Sequence, residues 1–109
     1  MSAANSAEPG VRADGAGRVI VAGSVTFATA GDLLRASQAL FEGQKAITVD
    51  LGAVTSVDSA GLALLIEWLR RARSDGRAVT YTGLPDKLVA IAKLSGVDAM
   101  LATGYVPAS

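Results

Sequence analysis

Apolar residues follow two different periods along the chain, and segments of the two kinds alternate. Short runs rich in β-branched residues predict strands, whereas segments in which apolar residues recur every three or four positions predict helices. The predicted strands cover residues 19–21, 25–27, 46–51 and 78–82. The predicted helices cover residues 30–42, 59–73 and 85–95. The chain is therefore expected to fold in the order β-β-α-β-α-β-α.

The spacing of these elements predicts a single α/β domain with a mixed β-sheet and packed α-helices. The first two strands are close enough along the chain to form a hairpin, and the strand–helix–strand segment 46–82 implies parallel pairing. Residues 1–17 are poor in large apolar side chains, which predicts a flexible N-terminal tail. The domain is therefore expected at residues 18–102, followed by a polar C-terminal tail at 103–109.

The first and third helices carry recognisable ends and inner faces. Thr29 followed by Asp32 resembles a weak capping box, Gly43 closes the first helix, and Pro85 opens the third. The residues expected to face the core are Leu33, Leu34, Ser37, Leu40 and Phe41 in the first helix and Leu88, Ile91, Ala92, Leu94 and Ser95 in the third. Both helices are thus expected to pack on the sheet by one face.

The second helix carries more apolar residues than one buried face needs. The stripe expected to face the sheet consists of Leu62, Leu65, Ile66, Leu69 and Ala72. Leu64 falls almost opposite this stripe, and Trp68 lies well off its centre. Either the helix is covered on both sides, or these two side chains form an exposed apolar patch for another protein. In a domain this thin we predict the exposed patch.

Composition removes most catalytic chemistry. The 109 residues include no Cys and no His, which excludes disulfides, thiolate nucleophiles, Cys/His zinc sites and histidine acid–base relays. Ten basic residues balance ten acidic ones, so charge gives no reason to expect a nucleic-acid partner. The sequence contains neither a phosphate-binding Gly-x-x-x-x-Gly-Lys loop nor a Gly-x-Gly-x-x-Gly turn. We therefore expect a binding module rather than an enzyme, with no catalytic residue, metal or cofactor.

The distribution of apolar residues also bears on location. The longest apolar run, residues 62–66, is far shorter than the roughly 20 residues of a membrane span. The first residues show no basic start leading into an apolar run, so a secretory signal is not expected. These features predict a cytoplasmic protein without direct membrane insertion.

A binding function is most expected at the strand-to-helix junction, residues 57–62. Ser59 stands where the second helix begins, so its simplest role is an N-cap, with Gly61 allowing close backbone packing. The same position suits a phosphorylated switch, because the free N–H groups of a helix start stabilise an anion, and a phosphate there would repel Asp58. A hydrolase triad would need a histidine base. The residues themselves leave the cap and the switch open.

The strand at 47–51, the motif Val57-Asp58-Ser59-Ala60-Gly61-Leu62 and the Leu-rich helix that follows resemble a STAS domain. This fold is shared by sulphate-transporter tails and anti-sigma factor antagonists, and the resemblance covers about residues 18–102. In the antagonists, the serine that matches Ser59 is phosphorylated by a partner kinase, and the unmodified form releases a sigma factor. Ser59 is accordingly a candidate phosphoacceptor.

Several segments are more similar to the MlaB-type branch, the small STAS subunit of the Mla ABC complex for phospholipid transport. These segments are residues 23–30, 64–69 and 92–97. The resemblance implies a non-catalytic subunit that binds the cytoplasmic ATPase of a transporter maintaining outer-membrane lipid asymmetry. Permease and lipid-binding subunits would be indirect partners, and the chain would lie at the inner membrane through the ATPase.

The alternative implied by the resemblance is an anti-sigma factor antagonist that binds an anti-sigma factor kinase and is switched at Ser59. For the MlaB-type branch, the expected partner-facing surface is the junction, the early segment near it and the outer side of the second helix. Its residues are Phe27, Thr29, Asp58, Ser59, Ala60, Gly61, Leu64 and Trp68.

Overall fold

The computed structural model describes residues 10–108, which form four strands and four helices. The strands are β1 (Gly10–Ala13), β2 (Arg18–Val25), β3 (Ala46–Val57) and β4 (Ala78–Thr82). The helices are α1 (Ala30–Phe41), α2 (Ser59–Asp75), α3 (Asp86–Leu94) and α4 (Asp98–Thr103). β1 pairs antiparallel with β2, and β2, β3 and β4 pair in parallel in that order. The predicted fold class, one α/β domain with a mixed sheet, is confirmed.

One face of the sheet is buried beneath the helices. Buried and partly exposed residues alternate along β2, along β4 and through the first half of β3. This period of two is typical of a sheet with one covered face. The sheet contributes Val19, Val21, Val25, Ile47, Val49, Leu51, Val57, Val79 and Tyr81 to the core. In the range 10–108, no helix combines the length and the apolar character needed to cross a membrane.

The N-terminal hairpin lies earlier in the chain than expected. The prediction of a second strand at 25–27 is wrong, because Arg18–Val25 is one continuous strand and its antiparallel neighbour is β1. Gly23, which lies between the two strands predicted at 19–21 and 25–27, continues β2 with a positive φ of 81° at a shift in the pairing with β3. A glycine accepts this backbone geometry at little cost. Such a bulge cannot be told from a turn in the sequence.

The ordered domain therefore begins before residue 18. Asp14 forms the turn of the hairpin by accepting hydrogen bonds from the N–H groups of Ala16 and Arg18 at 2.8 and 3.2 Å. The predicted flexible tail is thus wrong for residues 10–17, since the ladder to β2 supplies backbone bonds that composition does not reveal. Residues 1–9 lie outside the described part of the chain.

β3 is longer than its apolar run. Residues 52–56, which follow the predicted strand 46–51, continue the strand, and pairing with β2 extends as far as Val25 opposite Val57. The register shifts twice along this stretch. Each bulge breaks the alternation of apolar and polar residues by which a strand is recognised in a sequence. This part of β3 therefore could not be predicted, although its backbone is hydrogen-bonded to β2.

The C-terminal segment is also tied to the sheet. Tyr105 donates to and accepts from the backbone of Val79 at 2.8 and 2.9 Å, which adds a short antiparallel bridge beside β4. The guanidinium of Arg73 lies 5.4 Å from the centre of the Tyr105 ring. The predicted tail at 103–109 is therefore wrong for Thr103, which ends α4, and for Gly104 and Tyr105.

The exposed apolar patch predicted on the second helix is wrong. Leu64 and Trp68 retain only 4% and 1% of their exposure, because α1 packs against this side of α2 while α3 packs on another. The Trp68 Nε1–H donates to the Ser37 hydroxyl at 2.8 Å, and the Phe41 ring lies 5.7 Å away. The alternative reading, a helix covered on both sides, is the one that the structure supports.

The third helix buries less than expected. Leu88 and Ala92 are buried and Ile91 is partly buried, but Leu94 keeps 90% of its exposure. Ser95 follows the last helical residue and is also exposed. The chain turns away here toward α4, so these two positions have no element packed over them. The inner-face prediction is wrong for both.

Candidate partner-binding surface

The carboxyl ends of β2, β3 and β4 meet at one edge of the sheet because the three strands are parallel. Ligands of α/β proteins commonly bind outside the carboxyl ends of the strands, where loops and helix starts lie close together. Here the edge consists of the loop 26–29, the start of α2 and the first turn of α3. Four exposed or partly exposed residues, Phe27, Ala28, Ser59 and Ala60, are called the docking edge below.

Asp58 organises this edge. Its Oδ1 accepts hydrogen bonds from the N–H groups of Ala60 and Gly61 at 2.9 and 3.1 Å, and its Oδ2 accepts one from Phe27 N–H at 3.0 Å. The Phe27 N–H is the main cause that holds the pKa of Asp58 below its usual value; partial burial opposes it, and Gly61, Ala60 and the charge of Lys87 add to it. The carboxylate is thus kept ionised and occupied by backbone donors.

Asp58, not Ser59, is the N-cap of α2. The backbone at Asp58 is extended, with φ −142° and ψ −171°, and its side chain caps the first turn. The prediction that Ser59 caps the helix is wrong, because the non-helical residue between the end of β3 at Val57 and the first helical residue is Asp58. Ser59 is instead the first helical residue and is exposed to solvent.

The loop 26–29 is closed by its own hydrogen bonds. The Thr29 hydroxyl accepts from Thr26 N–H at 2.9 Å and donates to the Ser24 carbonyl at 2.8 Å. This hydroxyl does not cap α1, so the predicted capping box is wrong; Asp32, its expected partner residue, forms an ion pair with Arg35. Thr29 is partly buried, and its hydroxyl holds the shape of the loop.

Gly61 lets α2 begin in contact with β2. A Cβ on this residue would lie 2.2 Å from the carbonyl oxygen of Val25, far inside contact distance. The glycine is buried, so it serves as a spacer beneath the docking edge rather than as part of its surface. The close packing expected of Gly61 from the sequence is confirmed.

Phe27 is the large apolar side chain of this edge, and it keeps 86% of its exposure. Leu94, Met100 and Val106 are also exposed, at 90%, 43% and 65%, but they belong to α3, α4 and the C-terminal segment. An exposed aromatic ring on a hydrogen-bonded loop is typical of an anchor for another protein. Phe27 therefore marks the docking edge as a candidate binding surface.

A model of the family described as MlaB, STAS domain matches residues 10–102. The chain belongs to this MlaB-type STAS family. The match begins at β1, in agreement with the ordered hairpin, and it includes the whole docking edge.

Two curated relatives are similar to part of the chain. They are the intermembrane phospholipid transport system binding proteins MlaB of Escherichia coli K12 and of Shigella flexneri, each 42% identical over 59 residues. The matched segment is 53% of this chain and spans 61% of the length of each relative.

Two solved structures share the fold. The anti-sigma factor antagonist SpoIIAA in its unphosphorylated form has a TM-score of 0.66 at 14% identity, covering 94% of this chain and 89% of that one. A sulfate transporter family protein from Wolinella succinogenes has a TM-score of 0.63 at 21% identity, covering 82% of this chain and 73% of that one. At these identities the likeness concerns the fold alone.

For this MlaB-type domain, the residues predicted as partner-facing fall into three groups. Phe27 and Ser59 are exposed at the docking edge; Thr29, Asp58 and Ala60 are partly buried there; and Gly61, Leu64 and Trp68 are buried. Only the first two groups can contribute to a surface of the folded chain.

Lys87 was missed by the sequence analysis. It lies in the first turn of α3, which follows the carboxyl end of β4, and its charge lowers the pKa of Asp58. The signal that could have located it is topological: α3 follows a parallel strand, so its first turn must lie at the same edge as Ser59.

Proposed function

We propose that this chain is the STAS subunit of an Mla-type intermembrane phospholipid transport system. It binds the cytoplasmic ATPase subunit through the docking edge, supports the assembly and activity of that subunit, and catalyses no reaction itself. The permease and lipid-binding subunits are indirect partners, so the chain lies at the inner membrane through the ATPase. Membership of the MlaB-type family and the 42% identity to E. coli MlaB support this proposal.

The main observation that supports partner binding at the docking edge is the exposure of Phe27 beside Ser59. An aromatic side chain left 86% exposed loses the stabilisation that burial would give it. Its loop is nevertheless held by backbone N–H groups that donate to the Thr29 hydroxyl and to the Asp58 carboxylate, so the ring stands on an ordered segment. Small residues around it, Ala28 and Ala60, leave room for the surface of a partner.

Replacing Phe27 by alanine should weaken binding to the ATPase by about 30-fold, the loss that corresponds to an interface anchor worth about 2 kcal/mol. The wild-type and variant chains are titrated into the recombinant ATPase subunit of the same organism's Mla system by isothermal calorimetry. Thermal unfolding of the free chain should be nearly unchanged, because the replaced ring is exposed.

Leu94→Ala is the matched control, since Leu94 is equally exposed but lies at the far end of α3 from the docking edge. It should bind the ATPase as wild type does. Equal losses for both variants would mean that binding is non-specific, and unchanged affinity of Phe27→Ala would reject the docking edge.

A second candidate function is an anti-sigma factor antagonist switched by phosphorylation. It is favoured by the position of Ser59, whose exposed hydroxyl stands in the first turn of α2, where backbone N–H groups stabilise a phosphate. The fold that the chain shares with SpoIIAA is compatible with this function.

Incubation with ATP and an anti-sigma factor kinase of the same organism should then add one phosphate, measured by intact-mass spectrometry. The phosphate should be absent in Ser59→Ala and retained in Ser56→Ala, which removes another exposed hydroxyl near the same edge. A chain that stays unmodified with each such kinase would exclude this candidate.

A further inference from the structure

The Asp58 carboxylate joins two segments that are distant along the chain. Oδ1 bonds to the first turn of α2, and Oδ2 bonds to Phe27 N–H in the loop after β2. Capping a helix requires one acceptor oxygen, which serine or asparagine supplies about as well as aspartate. Capping therefore does not account for the second oxygen and its bond to the loop.

The second bond is donated by the backbone of Phe27, whose side chain is largely exposed. The Phe27 ring is 86% exposed, so packing in the free chain does little to set its direction. The loop ends are fixed by other bonds, with Thr26 N–H donating to the Thr29 hydroxyl and Thr29 N–H to the Thr26 carbonyl. The bond from Phe27 N–H to Asp58 fixes the middle of the loop and thereby the direction in which the ring leaves it.

We propose that Asp58 is a positioning residue that clamps Phe27 to the start of α2, so that the ring projects from the docking edge as a preformed anchor. The partner surface that fits such an anchor is an apolar pocket that takes one aromatic side chain. Presenting the ring in a fixed direction lowers the entropy lost on binding, which increases affinity without a new contact. That this pocket belongs to the ATPase subunit rests on the proposed function, whereas the clamp of Phe27 by Asp58 does not.

Asp58→Ser separates the two bonds of the carboxylate. Serine keeps the cap of α2 but has a single oxygen, which cannot also reach Phe27 N–H. In the free chain, hydrogen exchange followed by NMR should show the Phe27 amide exchanging about tenfold faster or more, since a lost bond opens the loop locally. The Leu62 amide, bonded to the Asp58 carbonyl, is the internal reference and should keep its rate.

The second readout is affinity for the recombinant ATPase subunit of the same organism's Mla system. Asp58→Ser should bind about tenfold more weakly, a coupling within the range seen between contacting residues. In the Phe27→Ala background, Asp58→Ser should cause no additional loss, because the clamp acts through the ring. Ser56→Ala removes the Ser56–Ser24 hydrogen bond of 2.8 Å at the same end of the sheet and should change neither readout.

The exchange rates and the affinities test the clamp and the proposed function separately. An unchanged exchange rate of Phe27 in Asp58→Ser overturns the clamp, as do losses of affinity that add fully in the double variant. If the wild-type chain does not bind the ATPase, the proposed function fails, and the exchange rates alone decide the clamp. Should Asp58→Ser not fold, Asp58→Asn replaces it: its one oxygen caps the helix and its amide group cannot accept from Phe27 N–H.

Discussion

Replacing Trp68 by alanine should lower the free energy of unfolding by about 3–5 kcal/mol, the usual cost of removing a buried tryptophan. Trp68 is 1% exposed and lies between α2 and α1, where its ring contacts that of Phe41. The substitution leaves a cavity between the two helices. It also removes the donor to the buried Ser37 hydroxyl.

Urea unfolding followed by far-ultraviolet circular dichroism measures this loss, since Trp68 is the chain's one tryptophan and its fluorescence disappears with it. Trp68→Phe is the control: it keeps a ring beside Phe41 but not the N–H, and should lose about 1–2 kcal/mol. Its affinity for the ATPase should stay near wild type. A stable Trp68→Ala chain that no longer bound the partner would instead restore the surface role first predicted for this residue.

Gly61→Ala should have the second largest effect, a loss of about 3 kcal/mol, at the upper end of what an added methyl costs in a packed site. The new Cβ would lie 2.2 Å from the Val25 carbonyl oxygen, which belongs to the backbone of β2 and cannot rotate away. The start of α2 must then move off the sheet, and the bonds of Asp58 to the first turn and to Phe27 move with it. Partner binding should fall together with stability.

Gly31→Ala is the matched control, a glycine in α1 whose Cβ would meet only the flexible Arg35 side chain at 3.7 Å. It should raise the free energy of unfolding by about 0.5–1 kcal/mol, because alanine favours a helix over glycine. Urea unfolding of both variants gives the comparison. A Gly61→Ala chain within 0.5 kcal/mol of wild type, about the scatter of neutral surface substitutions, would show that α2 does not begin against β2.

The elements predicted from apolar periodicity alone are those with large buried side chains. α1, α2, β4 and α3 occur close to their expected positions, because each presents a continuous apolar face to the core. β1 and the second half of β3 could not be predicted in this way. β1 contributes only Val11 as a large apolar residue, and bulges interrupt the alternation of β3. Their stability comes from backbone bonds to β2, which any residue except proline can make.

The candidate site was also predicted only in part from the sequence. The sequence placed a binding junction at residues 57–62, and the family resemblance associated Phe27 with it; Phe27 and Ser59 are both exposed at the docking edge. The cap was predicted at Ser59 instead of Asp58, because both residue types cap helices well and their order along the chain does not separate them. The choice depends on where β3 ends, and β3 ends at Val57 because its pairing with β2 continues to that residue. The clamp on Phe27 likewise joins residues 31 positions apart.

What the sequence determined by itself is therefore the class of fold, the absence of cysteine and histidine chemistry, and the junction at which a helix begins with Asp58, Ser59 and Gly61. What only the tertiary structure decided is which side chains near that junction reach solvent. A helical pattern gives the angle of Leu64 and Trp68 around the axis of α2, but it does not say what packs at that angle. Because α1 packs against this side of α2, both side chains belong to the core. Phe27 is then the aromatic group exposed at the docking edge.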